Sequence, residues 1–241
     1  MNSLLRIIGE PFYYLIDFFA PKYCLVCDDL INNENQIQNL TFICKSCFYS
    51  LNSAPNSEVI LDRLFENYHP DDISITNVFS LYKLHEQNFL QIIHHLKYHK
   101  LWKIGYEFGL LLGEKIAKNS DTRYDGVVAV PIHIAKKRER GYNQSDFIAK
   151  GVSEKLNIPN YSKFVRRQKY TLSQTLLSAQ ERKINIQGAY KIPTNSSKAF
   201  QNKVILIVDD VFTTGSTINH LGNELLNCGA KQIDCATLGV A

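Results

Sequence analysis

The chain has 241 residues, 45% of them apolar, 11% aromatic and 21% charged, a composition that can bury a core and excludes wholesale disorder. At about 100–200 residues per domain, the length argues for one full domain with a smaller appendage. The net charge of +4 is too mild to argue for a nucleic-acid partner, but residues 1–75 hold four basic and ten acidic side chains, and residues 136–191 hold thirteen basic and four acidic, so the second segment either faces a phosphate-rich ligand or forms a solvated charged face.

Apolar residues over 3–19 recur at three- and four-residue intervals and predict an amphipathic helix, bent or split at Pro11. Arg6, Glu10, Pro11 and Asp17 interrupt the same stretch, so it reads neither as a membrane span nor as an export signal. We therefore expect a cytoplasmic chain without membrane insertion.

Cys24 and Cys27 are separated by two residues, Cys44 and Cys47 likewise, with 16 residues between the pairs. In a reducing compartment this spacing points to a structural four-thiolate zinc site rather than to disulfides. Two tight turns aim four sulfurs at one ion and leave no position for water, and metal binding supplies folding energy that so small a segment cannot gain by packing. Such a centre adds roughly two negative charges to an already acidic stretch, which argues against phosphate binding by this module alone. Cys228 and Cys235 fall on apolar elements and read as buried small hydrophobes.

We expect residues 1–55 to hold the first helix and the zinc module, 56–75 to be a polar, acidic linker, and 76–241 to form the main domain. There the pattern predicts a strand over 78–84, helices through Phe89–Leu96 and Ile104–Ile116, a buried strand over 126–130 ending at Pro131, a helix near 145–156, and a strand over 204–208. A helix after Thr217 and a strand over 233–240 complete an alternation that implies an α/β fold. Trp102 and most tyrosines read as core, although Tyr98, Tyr142 and Tyr170 adjoin basic residues and could stack bases. His94, His95 and His99 have helical metal spacing but lack an acidic third ligand, so they read as surface or core residues. For His133 we expect a local hydrogen bond rather than catalysis.

The most informative run is residues 204–217. Its strand delivers Asp209 and Asp210 to the C-terminal end, where open α/β sheets hold ligands. The turn Thr213-Thr214-Gly215-Ser216-Thr217 then opens a helix, placing free N–H groups, hydroxyls and the positive helix end where a phosphate can bind. No lysine precedes the Ser or Thr as in a Walker loop, and the glycine spacing of a dinucleotide fold is missing. Carboxylates beside a phosphate turn suit ribose hydroxyls or magnesium.

This run resembles the phosphoribosyl pyrophosphate (PRPP) motif of type I phosphoribosyltransferases, and nearly the whole chain resembles the ComF family. The further matches are Leu96-Lys97-Tyr98, Val130-Pro131-Ile132-His133, Arg140-Gly141-Tyr142-Asn143-Gln144, Thr171 with Gln174, and Glu181-Arg182 followed by Asn185 and Gly188. The resemblance implies a type I phosphoribosyltransferase-like parallel sheet flanked by helices, behind an N-terminal zinc ribbon. It also implies that Asp209 and Asp210 hold the ribose hydroxyls and that Thr213, Thr214, Gly215, Ser216 and Thr217 cradle the 5-phosphate. The segment after Pro131 would be the pyrophosphate loop, and residues 171–182 a loop closing over the ligand. Arg140, Gln144, Gln174 and Arg182 are the candidates there. Lys136, Lys137 and Arg138 add charge, and the arginines are favoured because a guanidinium engages phosphate oxygens bidentately.

Purine-salvage enzymes carry an aspartate three positions after the second carboxylate; this chain has Thr213, which disfavours that chemistry. Residues 73–125, the expected hood over the acceptor, contain no constellation that names one. The primary expectation is a competence protein for natural transformation that handles incoming single-stranded DNA and binds PRPP with magnesium. The alternative is an active phosphoribosyltransferase of unknown acceptor, and a third reading makes the zinc module a docking surface for a competence helicase.

Overall fold

A computed structural model describes residues 22–85, 87–168 and 188–241. The helix expected over 3–19, and Tyr170, Thr171, Gln174, Glu181, Arg182 and Asn185 with their loop, lie outside the described residues. The described chain forms two compact units that divide after Leu51.

In the first unit a two-stranded antiparallel ribbon, β1 (Gln36–Ile37) and β2 (Leu40–Cys44), runs directly into the short helix α1 (Lys45–Tyr49). Leu40, Ile43 and three of the four paired cysteines are buried there, a small core for an independent unit.

The second unit begins with a departure from expectation. Residues 56–75 contain helix α2 (Ser57–Phe65), whose N-cap Asn56 accepts a hydrogen bond from Val59 N through its side chain. Ile60 and Leu64 of this helix are fully buried in the main core. Acidic composition described its solvent face, while the i, i+4 pair Ile60 and Leu64 decided its packing.

The remaining elements are β3 (Ile75–Lys83), α3 (Gln87–Tyr98), α4 (Trp102–Asn119), β4 (Gly126–Ala129), α5 (Ile134–Arg140), α6 (Gln144–Leu156), β5 (Arg166–Arg167), β6 (Tyr190–Lys191), α7 (Thr194–Ser197), β7 (Val204–Phe212), α8 (Ser216–Asn227) and β8 (Gln232–Val240). Strands β3, β8, β7 and β4 form, in that order, an all-parallel sheet. Strand β7 is apolar on both faces, with Ile205, Leu206, Ile207 and Val208 wholly buried, the continuous pattern of a strand covered on two sides; in β8, Ile233, Cys235 and Leu238 are wholly buried together with the hydrogen-bonded Asp234 and Thr237.

Two features of this sheet position the ligand side. Strand β4 ends at Ala129, opposite Val208, whereas β7 continues to Phe212 against β8. From Asp209 onward the edge of β7 facing β4 is therefore unpaired, which opens a crevice. Helices α4 and α6 cover the sheet and approach each other through glycines: a Cβ on Gly109 would lie 2.3 Å from Ile148 O, and one on Gly151 would lie 2.3 Å from Tyr106 O. No side chain fits at that crossing, and α6 carries the residues that brace the carboxylates. Gly151→Ala is expected to destabilise the second unit by about 1–3 kcal/mol through overpacking, measured as a lower denaturant midpoint with an unchanged slope.

Candidate functional site

The crevice beyond β4 is a cavity of about 390 Å³ lined by Asp209, Asp210, Thr213, Gly215, Ser216 and Thr217 from the β7–α8 connection and by Lys97, Lys136, Arg140, Gln144 and Arg167 from elsewhere in the unit. The two carboxylates thus stand at the floor of an open hollow with four cations around it.

Gly215 sits in the left-handed region with φ 72° and caps α8. A Cβ there would meet Leu64 Cδ2 at 2.5 Å and Phe212 Cζ at 2.6 Å, so conformation and space both require glycine. Leu64 belongs to α2, the segment expected as a linker, which therefore packs beneath the turn. Thr214 is not among the residues lining the cavity; its hydroxyl lies 2.9 Å from Ser216 Oγ and braces the turn. Ser216 opens α8, so the positive end of a twelve-residue helix faces the cavity.

The carboxylates are held from two helices. Ser145 Oγ donates to Asp209 Oδ1 at 2.8 Å, and Asp210 N donates to the same oxygen at 2.9 Å. Gln144 Nε2 donates to Asp210 Oδ2 at 3.0 Å, and Lys97 Nζ pairs with that oxygen at 3.1 Å. Burial, and then the Asp210 charge beside it, push the Asp209 carboxyl up to about 7, while Asp210 holds the Lys97 ammonium above its ordinary value. The donor set suits ribose hydroxyls, and hard carboxylate oxygens also suit magnesium, although Lys97 and Gln144 already engage Asp210 Oδ2.

The basic run after Pro131 divides. Lys136 and Arg140 line the cavity, Lys137 pairs with Asp146 at 3.7 Å, and Arg138 is exposed. His133 caps α5 by accepting from Ala135 N at 3.2 Å, a local hydrogen bond as expected. Arg140 also lies over the Tyr98 ring at 5.3 Å. Tyr98 is 55% exposed, and Trp102, expected in the core, is 47% exposed and stacked on Phe147 at 5.1 Å. Tyr142 is instead a clamp: its hydroxyl donates to Leu96 O, and its ring packs edge-on against Phe147.

Lys97, Ser145 and Arg167 were not assigned roles from the sequence. Lys97 stood within a matched motif, but its partner is 113 residues away, and nothing local marks it as an ion-pair residue. Ser145 is hidden for the same reason, being an ordinary first-turn helix residue whose acceptor lies on another strand.

In the first unit, Cys24, Cys27, Cys44 and Cys47 place all four sulfurs within 4.8 Å of one another, the only such metal-competent group among the described residues. Cys27 Sγ and Cys44 Sγ are 3.8 Å apart, and a tetrahedron with metal–sulfur bonds of about 2.3 Å has an edge of roughly 3.8 Å. Cys44 N points at Cys24 Sγ at 3.4 Å, a contact that favours a thiolate. The cluster fits a metal ion such as zinc.

A family model described as the phosphoribosyl transferase domain matches residues 144–239. Competence protein F of Haemophilus influenzae is 35% identical over 109 residues, 45% of this chain and 47% of that one. DNA utilization protein YhgH of Escherichia coli is 34% identical over 155 residues, 61% of this chain and 66% of that one. The chain thus spans about half the length of the first relative and just under two thirds of the second. Among solved structures, the glutamine PRPP amidotransferase of B. subtilis complexed with ADP and GMP aligns over 59% of this chain and 30% of that one, at 17% identity and a TM-score of 0.40.

The family match and the parallel sheet define a phosphoribosyltransferase-fold protein. The four-cysteine unit and these relatives support a ComF-like protein with that fold. Among the described residues no helix is long and apolar enough to cross a membrane.

The raised Asp209 carboxyl makes the stability of the fold depend on pH. A carboxyl ordinarily near 3.9 that sits at about 7 in the fold makes the folded state bind an extra proton. The stability this contributes is complete at acid pH and is lost as pH rises through about 7. Asp209→Asn, which keeps an acceptor oxygen and removes the charge, is expected to raise the Tm of the ligand-free protein by several degrees at about pH 8 and to change it little at about pH 4. Equal shifts at both pH values would contradict this.

Proposed function

We propose that the second unit binds PRPP, with Asp209 and Asp210 accepting the ribose 2- and 3-hydroxyls, the turn from Thr213 to Thr217 cradling the 5-phosphate, and Lys136, Arg140 and Arg167 facing the diphosphate. The observation that carries this reading is the convergence in one open cavity of paired carboxylates, an amide- and hydroxyl-rich turn at a helix N-terminus, and clustered cations. At about 390 Å³ the cavity falls within the range of small-ligand sites, about 300–1,000 Å³. Gln174 and Arg182 complete the proposal as closing-loop residues. Magnesium would travel with the diphosphate and neutralise its charge, and zinc in the cysteine cluster would hold the first unit together.

The biological setting we infer is competence: a cytoplasmic protein that handles incoming single-stranded DNA. The names of the relatives support it, and so do two exposed aromatic side chains four residues apart: Tyr98, which lines the cavity with Arg140 over its ring, and Trp102. Lys100 approaches Gly141, the residue after Arg140. Aromatic faces among cations suit a single strand, whose bases stack while its phosphates are neutralised. A competence helicase as partner of the zinc module belongs to the same setting. Tyr98, at the edge of the sugar site, also favours the second reading, in which a planar acceptor receives the ribosyl group from PRPP and pyrophosphate leaves.

Isothermal titration with PRPP and magnesium is expected to give saturable binding that Asp210→Asn weakens by about tenfold or more. Absence of heat from the folded wild type would remove the reading, and measurement of pyrophosphate release with and without single strands separates turnover from occupancy. For DNA, affinity for a labelled single strand is expected to fall steeply with salt and to drop about tenfold in Trp102→Ala, the worth of one base–aromatic stack. A shallow salt slope and an unaffected variant would exclude this surface.

A further inference from the structure

A lysine three-quarters buried in a ligand cavity is uncommon unless it has a partner. Lys97 has one. It sits in the last turn of α3, its side chain 25% exposed, and its ammonium lies 3.1 Å from Oδ2 of Asp210, whose side chain is 8% exposed. The helix end that carries it is fixed in place: Leu96 is fully buried, and the Leu96 carbonyl accepts the Tyr142 hydroxyl. Tyr142 precedes Asn143, the N-cap of α6, in whose first turn Gln144 donates to the same Asp210 oxygen and Ser145 holds Asp209. One clamp between α3 and α6 therefore sets both the neutral and the charged donor on the acidic pair.

This arrangement bears on how the pair meets cations. Once Asp209 is ionised, above about pH 7, two adjacent carboxylates at a phosphate turn carry two negative charges and would attract a divalent ion from solution. Here a fixed ammonium neutralises one of those charges and occupies one of the Asp210 oxygens that such an ion could use. Arg140 and Lys136 line the same cavity and add to the repulsion of any incoming ion. The two carboxylate oxygens left over, Asp209 Oδ2 and Asp210 Oδ1, remain available as acceptors for a vicinal diol.

We propose that Lys97 is the resident cation of the acidic pair, taking the place of a carboxylate-bound divalent ion, so that the pocket recognises a phosphorylated ribose without a metal held by Asp209 and Asp210. This rests on the phosphoribosyl reading of the cavity and specifies how that site is neutralised. Lys97 acts here as a binding and specificity residue. It discriminates against free divalent ions, leaves the carboxylates to the sugar hydroxyls, and confines magnesium to the diphosphate of a ligand that brings its own.

Two measurements on the full chain test it. The first uses manganese alone, followed by electron paramagnetic resonance, with no sugar phosphate present. Wild type is expected to add no manganese site in the second unit. Lys97→Met, with its carboxylates uncompensated, is expected to gain one site at sub-millimolar concentration, and Lys97→Arg is expected to stay silent because the charge is retained. The second titrates ribose 5-phosphate in chelator and in millimolar magnesium. Wild-type affinity should be the same in both, while Lys97→Met should bind about tenfold more weakly in chelator and recover in magnesium. Manganese binding by wild type equal to that of Lys97→Met, or a wild type that needs magnesium for ribose 5-phosphate, overturns the proposal. If Lys97→Met does not fold, the silent wild type and its magnesium-independent titration decide the matter together with Lys97→Arg. Failure of the phosphoribosyl reading looks different: no sugar phosphate binds under any condition, while the manganese comparison still reports on Lys97.

Discussion

The site depends on one mismatch in strand length. β4 stops opposite Val208 and β7 runs on to Phe212, so the last residues of β7 keep their ladder with β8 and lose it on the other side. Asp209 and Asp210 fall at that step. Had β4 continued, the space now open above the pair would hold another strand, and two acidic side chains would be sealed in a sheet interior at a cost of several kcal/mol each. The open step lets them face a cavity instead.

Carboxylates this sheltered need compensation, and the fold supplies it from elements that are remote in the chain. Ser145 and Gln144 come from the first turn of α6, whose position is set by the glycine contact with α4. Lys97 comes from the end of α3, held by Tyr142. The two aspartates respond unequally: Asp210 takes the ammonium, and Asp209, with only neutral donors, is pushed up towards neutrality. The phosphate turn has its own support, since Leu64 of α2 fills the space where a Cβ on Gly215 would lie. The segment before β3 is therefore part of the site's foundation.

Much of the second unit was legible in the sequence, for identifiable reasons. The strands over 126–130 and 204–208 announced themselves as unbroken apolar runs because both faces of a parallel sheet are covered, and α3 and α4 through 3.6-residue periodicity. Helix α2 was missed because its polar positions outnumber its two core residues and two prolines flank it. Trp102 was misplaced because aromatic content alone does not say which rings a fold leaves on its surface; this one rests on Phe147 and remains nearly half exposed.

What the sequence determined by itself is local chemistry. Two Cys-x-x-Cys turns, an acidic pair at the end of a strand, and a glycine with hydroxyl neighbours at a helix start are each written within about a dozen residues, since short-range geometry suffices to aim their atoms. The tertiary structure alone decided which charges meet. The pairing of Lys97 with Asp210 and the step between β4 and β7 join residues far apart in the chain, and the placement of α5 against them turns Lys136 and Arg140, rather than Lys137 and Arg138, to the cavity. Nothing local encodes such contacts, because a side chain's partner depends on where other elements end and on how closely their backbones approach.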